Sequence, residues 1–226
     1  MNSRFKDDLL KENIVLTDEM LNSFEKYYNL LVSENEKYNL TRITSEDDVY
    51  YLHFYDSLMV TKALNLSKDG ICLLDIGSGP GFPGIPLKIA NSKIKLTILE
   101  ATNKKVEFMK MVVHELGLND VEIYHMRSED FRNYKHFDYV TTRAVASILD
   151  EVPYTIPFLK IGGLFIAMKS EKRCQEELDE AKSVLSDIGA GVKNVISYDV
   201  LDRKYSLAVI EKIKPTPIKY LKGYRK

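Results

Sequence analysis

A doubly wound α/β fold with an N-terminal helical cap is predicted for this 226-residue chain, on three observations. From about residue 71 onward, short apolar runs alternate with helical segments, the pattern that builds a largely parallel sheet with helices on both faces. The first of those runs, Leu73-Leu74-Asp75-Ile76, leads straight into a glycine-rich turn, Gly77-Ser78-Gly79-Pro80-Gly81-Phe82-Pro83-Gly84. In an open α/β sheet that place faces the ligand crevice. The first 68 residues show helical periodicity alone.

The elements follow in order. A weak helix is expected over residues 4–12. Thr17-Asp18-Glu19 supplies an N-cap with an acidic first turn. Met20, Leu21, Phe24, Tyr27, Tyr28 and Leu31 then repeat at helical spacing. Ser45-Glu46-Asp47-Asp48 starts another helix, and residues 53–64 are expected to be helical as well. The break at Ser67-Lys68-Asp69-Gly70 ends the cap, so the expected division is 1–68 for the cap, 69–214 for the sheet domain and 215–226 for a basic tail. Strands are expected at 71–76, 95–99, 121–125, 137–141 and 163–168, with a final pair at 192–198 and 205–211. Helices are expected at 85–90, 104–116, 148–158 and 171–188, and Gly117 closes the second of these.

Composition narrows the functional classes. With 45% hydrophobic and 29% charged residues the chain is of ordinary globular type. No apolar run approaches the roughly 18–20 residues of a membrane span, and the N-terminus has no signal-peptide pattern. Cys72 and Cys174 are far apart, which suits a reducing, cytoplasmic setting and offers no disulfide framework. His53, His114, His125 and His136 lack metal-ligand spacing, so no metal site is expected. Net charge is only -1, but residues 1–56 hold 12 Asp/Glu against 6 Lys/Arg. The last 15 residues carry six Lys/Arg and no acid, interleaved with Tyr220 and Tyr224. Such a stretch suits RNA phosphates and bases.

The glycine turn admits two cofactor classes. Gly79-x-Gly81-x-x-Gly84 matches the dinucleotide fingerprint, and Glu100 ends the next strand where a carboxylate can hold a ribose. Asp75 at the turn's mouth would repel a pyrophosphate and attract the ammonium and sulfonium charges of S-adenosylmethionine. A nicotinamide-dependent oxidoreductase therefore stands as the weaker alternative. A protein of the same fold that binds RNA or a partner without chemistry, and a methyltransferase of the same fold acting on another RNA or a small molecule, are the others.

Asp75 to Gly84 resembles the cofactor loop of class I S-adenosylmethionine-dependent methyltransferases, a Rossmann-like fold. The extension Phe82-Pro83-Gly84-Ile85-Pro86-Leu87 is similar to that of a bacterial family, also called glucose-inhibited division protein B, that methylates N7 of a guanine in 16S ribosomal RNA. Tyr38-Asn39-Leu40-Thr41, His53-x-x-Asp56-Ser57-Leu58, Asn103-Lys104-Lys105, Arg127-Ser128-Glu129-Asp130 and Thr142-Arg143-Ala144-Val145-Ala146 resemble further segments of that family, in order. The resemblance implies a seven-stranded sheet with its last strand antiparallel. It also implies cofactor contacts at Gly77, Phe82, Ser128, Glu129 and Arg143. With the residue-level reading, the expected cofactor set is Asp75, Gly77, Gly79, Gly81, Phe82, Glu100, Ser128, Glu129 and Arg143. The C-terminus departs from the family's Tyr-Pro-Arg-type ending, since it reads Tyr220-Leu221-Lys222-Gly223-Tyr224-Arg225-Lys226.

The implied reaction needs little from the protein. Guanine N7 has a lone pair and no proton, so no general base is required, and Arg143 is expected to position substrate or cofactor rather than move a proton. Expected RNA contacts are Arg42, His53, Lys104, Lys105, Lys169, Tyr220 and Arg225. The other reading of His53 and Asp56 is a pair of buried fasteners for the cap. The partner implied is 16S ribosomal RNA or the small ribosomal subunit, met in the cytoplasm; the sequence does not give the oligomeric state, and a monomer is favoured.

Overall fold

The computed structural model describes residues 3–221. The cap consists of helix α1 (Ser3–Lys11), the long helix α2 (Asp18–Tyr38) and a third helical run. That run begins as α3 (Glu46–Val49), passes through a π turn (Tyr50–Tyr55), returns to α4 (Asp56–Leu58) and ends in a 3-10 turn (Met59–Ala63). Thr17 caps α2 as expected, its side chain accepting from the Met20 amide at 3.2 Å. The expected single helix over 53–64 is thus three helix types in series. π turns are uncommon and cluster at functional sites.

The sheet has seven strands in the order β3-β2-β1-β4-β5-β7-β6. These are β1 (Cys72–Ile76), β2 (Lys95–Glu100), β3 (Val121–His125), β4 (Phe137–Arg143), β5 (Leu159–Ser170), β6 (Ala190–Val200) and β7 (Arg203–Lys212). β1 to β5 pair in parallel, and β7 inserts antiparallel between β5 and β6. The seven strands and the antiparallel last strand match the expectation. The connecting helices are α5 (Gly84–Ala90), α6 (Asn103–Glu115), α7 (Ile148–Glu151) and α8 (Glu171–Ile188), with a short α9 (Ile218–Leu221) at the end. The expected helix over 148–158 breaks after one turn into two 3-10 turns, one at Pro153 and one at Pro157. Each proline removes an N–H that an α-helix would need.

Two apolar cores flank the sheet. On one face Phe5, Phe24, Tyr27 and Phe54 of the cap share a cluster with Leu73, Ile85, Leu96 and Val106. On the other, α7 and α8 pack on Leu74, Val140 and Phe165. The chain passes from β1 to β2 and β3 on one side and then crosses back to β4 on the other side of β1. The carboxyl end of β1 therefore stands at the topological switch point.

Candidate active site at the carboxyl edge of the sheet

The glycine turn emerges from β1 at that point. Gly77, Gly79 and Gly81 have φ of 68°, 60° and 113°, which L side chains rarely adopt. The Gly77 amide donates to the Leu99 carbonyl at 2.8 Å, and the Gly79 amide to Glu100 Oε2 at 2.9 Å. A Cβ at Gly77 would come within 2.7 Å of Val145 Cγ2, whereas one at Gly79 would meet nothing within 4 Å. Bare backbone at Gly79 thus faces open space, as a cofactor cradle requires. At Gly81 a Cβ would collide with the Tyr27 hydroxyl and Ile85.

Asp75 lies beneath the turn rather than at its mouth. It is fully buried and accepts hydrogen bonds from the Ser78 hydroxyl, the Gly84 amide at 2.8 Å and the Thr141 hydroxyl at 3.2 Å. Burial pushes its carboxyl up to about 6 against the pull of these three donors. The expectation that Asp75 meets the ligand is corrected: with no accessible surface, it acts as an internal brace for the loop.

Phe82 is corrected in the same way. Its ring is 1% exposed and stacks on His53 at 4.4 Å and on Tyr27 at 5.5 Å between centroids. Tyr27 also donates to the Pro80 carbonyl at 2.6 Å. The cap therefore grips the glycine turn by one phenol hydroxyl and a three-ring stack. Arg143, at the end of β4, covers the Phe82 ring at 5.0 Å.

The guanidinium of Arg143 is the hub of the cap junction. Its Nη1 donates to the Leu52 carbonyl and to Asp56 Oδ2, both at 3.1 Å, and its Nη2 donates to His53 Nδ1 at 3.2 Å. Because arginine only donates, His53 Nδ1 accepts, and the ring proton sits on Nε2, 3.1 Å from Thr41 Oγ1. Burial, with the Arg143 charge second, pushes the His53 imidazole down to about 3. Burial also pushes the Asp56 carboxyl up, opposed by Arg143 and by the Tyr198 hydroxyl, which donates to Asp56 Oδ1 at 2.8 Å. His53 is thus a neutral, largely buried fastener of the cap, and its remaining surface lies on the cleft that Arg143 lines. Three of the five N–H groups of Arg143 are used in these bonds, which leaves two for a ligand.

Glu100 closes β2 and is 6% exposed. Its Oε1 accepts from the Thr102 amide at 2.8 Å while Oε2 holds Gly79, so it ties two ligand-facing loops together. Ser128 and Glu129 follow β3, joined by a Ser128 hydroxyl to Glu129 bond of 3.1 Å. They open a cleft of about 690 Å³ that continues past Leu149, Tyr154 and Phe158 to Tyr220.

The basic residues separate into two groups. Arg42, Lys104 and Lys105 line one cleft of about 850 Å³ between the cap and the start of α6. There Lys104 also donates to the Tyr38 carbonyl at 2.6 Å. Lys169 is corrected: it is buried between Glu151 at 3.1 Å and Glu177 at 3.2 Å and donates to the Ala146 carbonyl. Tyr220 is 8% exposed and its hydroxyl donates to Asp187 at 2.6 Å, so it anchors the chain end instead of facing RNA at the site. Arg225 lies outside the described residues.

A family model for small-subunit ribosomal RNA methyltransferase G, GidB, matches residues 20–204. The chain belongs to this family. A relative from Streptococcus pneumoniae serotype 19F, named ribosomal RNA small subunit methyltransferase G, is 42% identical over 222 residues, spanning 96% of this chain and 93% of its own. Among solved structures, a SAM-dependent methyltransferase from Aquifex aeolicus superposes with a TM-score of 0.58 at 20% identity, over 76% of this chain and 97% of that one. P. horikoshii TYW2 in complex with MeSAdo gives a TM-score of 0.58 at 16% identity, over 75% of this chain and 64% of that longer one. At these identities the two structures speak to the fold, which is the class I methyltransferase fold.

Four residues of the junction have roles there that the sequence does not signal. Tyr27 and Tyr198 lie 53 and 142 residues from their bonded partners. Val145 meets Gly77 only because β4 adjoins β1. Arg203, on the second strand of the terminal hairpin, reaches a cleft lined by Arg143 only through the insertion of β7 beside β5.

Proposed function

We propose that this protein is an S-adenosylmethionine-dependent methyltransferase acting on N7 of a guanine in 16S ribosomal RNA, in the cytoplasm. The observation that carries the reading is the bare glycine cradle at the switch point, in a chain of the methyltransferase G family. S-adenosylmethionine, when bound, supplies a sulfonium-activated methyl group. The Gly77 and Gly79 backbone would hold its amino acid end, the Glu100 carboxylate its ribose hydroxyls, and Ser128 and Glu129 its adenine. The two remaining N–H groups of Arg143 would position a carboxylate or the guanine O6.

Among the described residues, the absence of an available base at the junction supports N7 as the acceptor. Every carboxylate and imidazole at the junction already has partners: Asp75 under the turn, Glu100 across two loops, Asp56 with Arg143 and Tyr198, and His53 between Arg143 and Thr41. An attacking atom that must first lose a proton would find no free acceptor among these. A lone pair that carries no proton needs only orientation. Arg42, Lys104 and Lys105 would meet phosphates at the cap side.

Gly77→Asp tests the cradle. The new side chain would strain a positive φ and strike Val145. S-adenosylmethionine binding is expected to disappear from calorimetry while the fold persists by circular dichroism. Unchanged affinity in a folded variant rejects the cradle. Mass spectrometry of 16S ribosomal RNA from cells with and without the gene tests the acceptor, with loss of one 7-methylguanine expected.

A further inference from the structure

We infer that the cleft between the cap and the β5–β7 edge receives the unstacked target nucleotide, with Tyr205 as the base platform and Arg173 and Arg203 as phosphate ligands. This assignment rests on the proposed RNA methyltransferase reading. The cleft holds about 630 Å³, within the roughly 300–1,000 Å³ typical of small-molecule sites. It abuts the cofactor cradle directly, because Val145 lines it and also packs on Gly77.

RNA geometry demands such a cleft. In an A-form helix the major groove, where N7 lies, is deep and narrow and closed to side chains. An enzyme that modifies N7 must therefore meet an unpaired base or draw one out of its stack into a pocket. The wall formed by β7 suits a base. Tyr205 lines the cleft and stacks on Tyr198 at 5.9 Å and 24°. Tyr198 in turn fixes Asp56, and Asp56 fixes Arg143. A base laid on Tyr205 would join a continuous, anchored series that ends at the arginine beside the cradle.

The charge also suits a nucleotide. Four cations and two carboxylates line the cleft. Asp56 and Glu177 are committed to Arg143 and Lys169. Arg173 and Arg203 have side chains 68% and 58% exposed. Arg173 pairs at 3.3 Å with the buried Glu177, which Lys169 already neutralises, while Arg203 lies 4.0 Å from the exposed Asp202, a pair of small worth, and hydrogen-bonds the Tyr205 side chain. Both guanidiniums can therefore turn to phosphate oxygens, which they match in planar, two-point geometry.

The test uses the full-length protein with 16S ribosomal RNA or small subunits from cells lacking the gene. Arg203→Glu, Arg173→Glu and Tyr205→Leu are each expected to raise KM for RNA by about tenfold or more, with kcat and S-adenosylmethionine affinity within about twofold. Arg203→Ala and Arg173→Ala should each make the log–log salt dependence of RNA binding shallower by about one. Lys182→Glu, exposed on α8 away from the cleft, is the control and should leave KM unchanged. Both arginine side chains are more than half exposed, and their alanine variants add no charge beside Glu177, so those variants keep the test open even if Tyr205→Leu does not fold. Unchanged KM in both arginine variants overturns the assignment. So does an equal effect from Lys182→Glu, or loss of cofactor binding in step with loss of activity. A wild-type protein that binds S-adenosylmethionine but methylates no ribosomal RNA overturns the proposed function instead.

Discussion

Asp75 carries the sharpest consequence at the scale of single residues. Its folded-state value of about 6 lies above the ordinary 3.8. The folded chain thus holds a proton that the unfolded chain has released between about pH 4 and pH 6. Stability should fall as pH rises through that window, by on the order of 3 kcal/mol from this group. His53 acts with the opposite slope. Its value of about 3 lies below the ordinary 6.5, so the unfolded chain binds the extra proton and stability falls as pH drops below about 6.5. Asp75→Asn removes one of the two opposed terms. Thermal melts of that variant should show a steeper rise of Tm between pH 4 and pH 6 than the parent shows. Identical slopes in the two proteins contradict a raised Asp75.

At the scale of elements, the loop from β4 to α7 is held by a buried ionic triad. Glu151 accepts from the Ala146 amide at 3.1 Å, Glu177 accepts from the Ile148 amide at 3.0 Å, and Lys169 lies between the two carboxylates. The segment they fix carries Val145, whose side chain rests on the cofactor turn. Removing one member leaves a buried charge without its partner, which costs about 3–5 kcal/mol. Lys169→Met is therefore expected to destabilise by about that amount in urea denaturation. A loss below about 1 kcal/mol means the triad is not what holds the loop. Lys169 also shows how an element can mislead a one-dimensional reading. A lysine at the carboxyl end of a strand is a fair guess for an RNA contact. Its two neutralising glutamates come from other elements, 18 residues before it and 8 after.

At the scale of the whole molecule, the cap and the sheet domain share one apolar core. Phe82, Ile85 and Val106 are buried against Phe24, Tyr27 and Phe54. Burying a large apolar side chain contributes about 1.5–3 kcal/mol, so uncovering this face would remove more than the net stability of a typical domain. A fragment starting at residue 69 is expected to be insoluble or molten when expressed alone, with circular dichroism and gel filtration as the readouts. A monomeric fragment with a cooperative melt contradicts this. The cap also supplies Tyr27, His53 and Asp56 to the cradle and the arginine hub. An otherwise stable sheet domain would thus still lose the geometry of its site.

The division between what was legible and what was not follows the range of the interactions involved. Strand and helix periodicity, the glycine turn and the capping residues are local, so the sequence alone determined the α/β class, the cap, the seven strands and the switch-point loop. Family motifs carried the choice of S-adenosylmethionine and the implied substrate, because the residue-level argument from Asp75 at the turn's mouth fails once Asp75 is buried. Burial and partner choice are nonlocal, and only the tertiary structure decided them. Asp75, Phe82, His53 and Lys169 each carry a residue type suited to ligand contact, and each is enclosed by groups from distant segments. Desolvating such a side chain is costly unless the enclosing groups satisfy it, so the packing that surrounds these four also sets their role, which is to hold the site's walls in place.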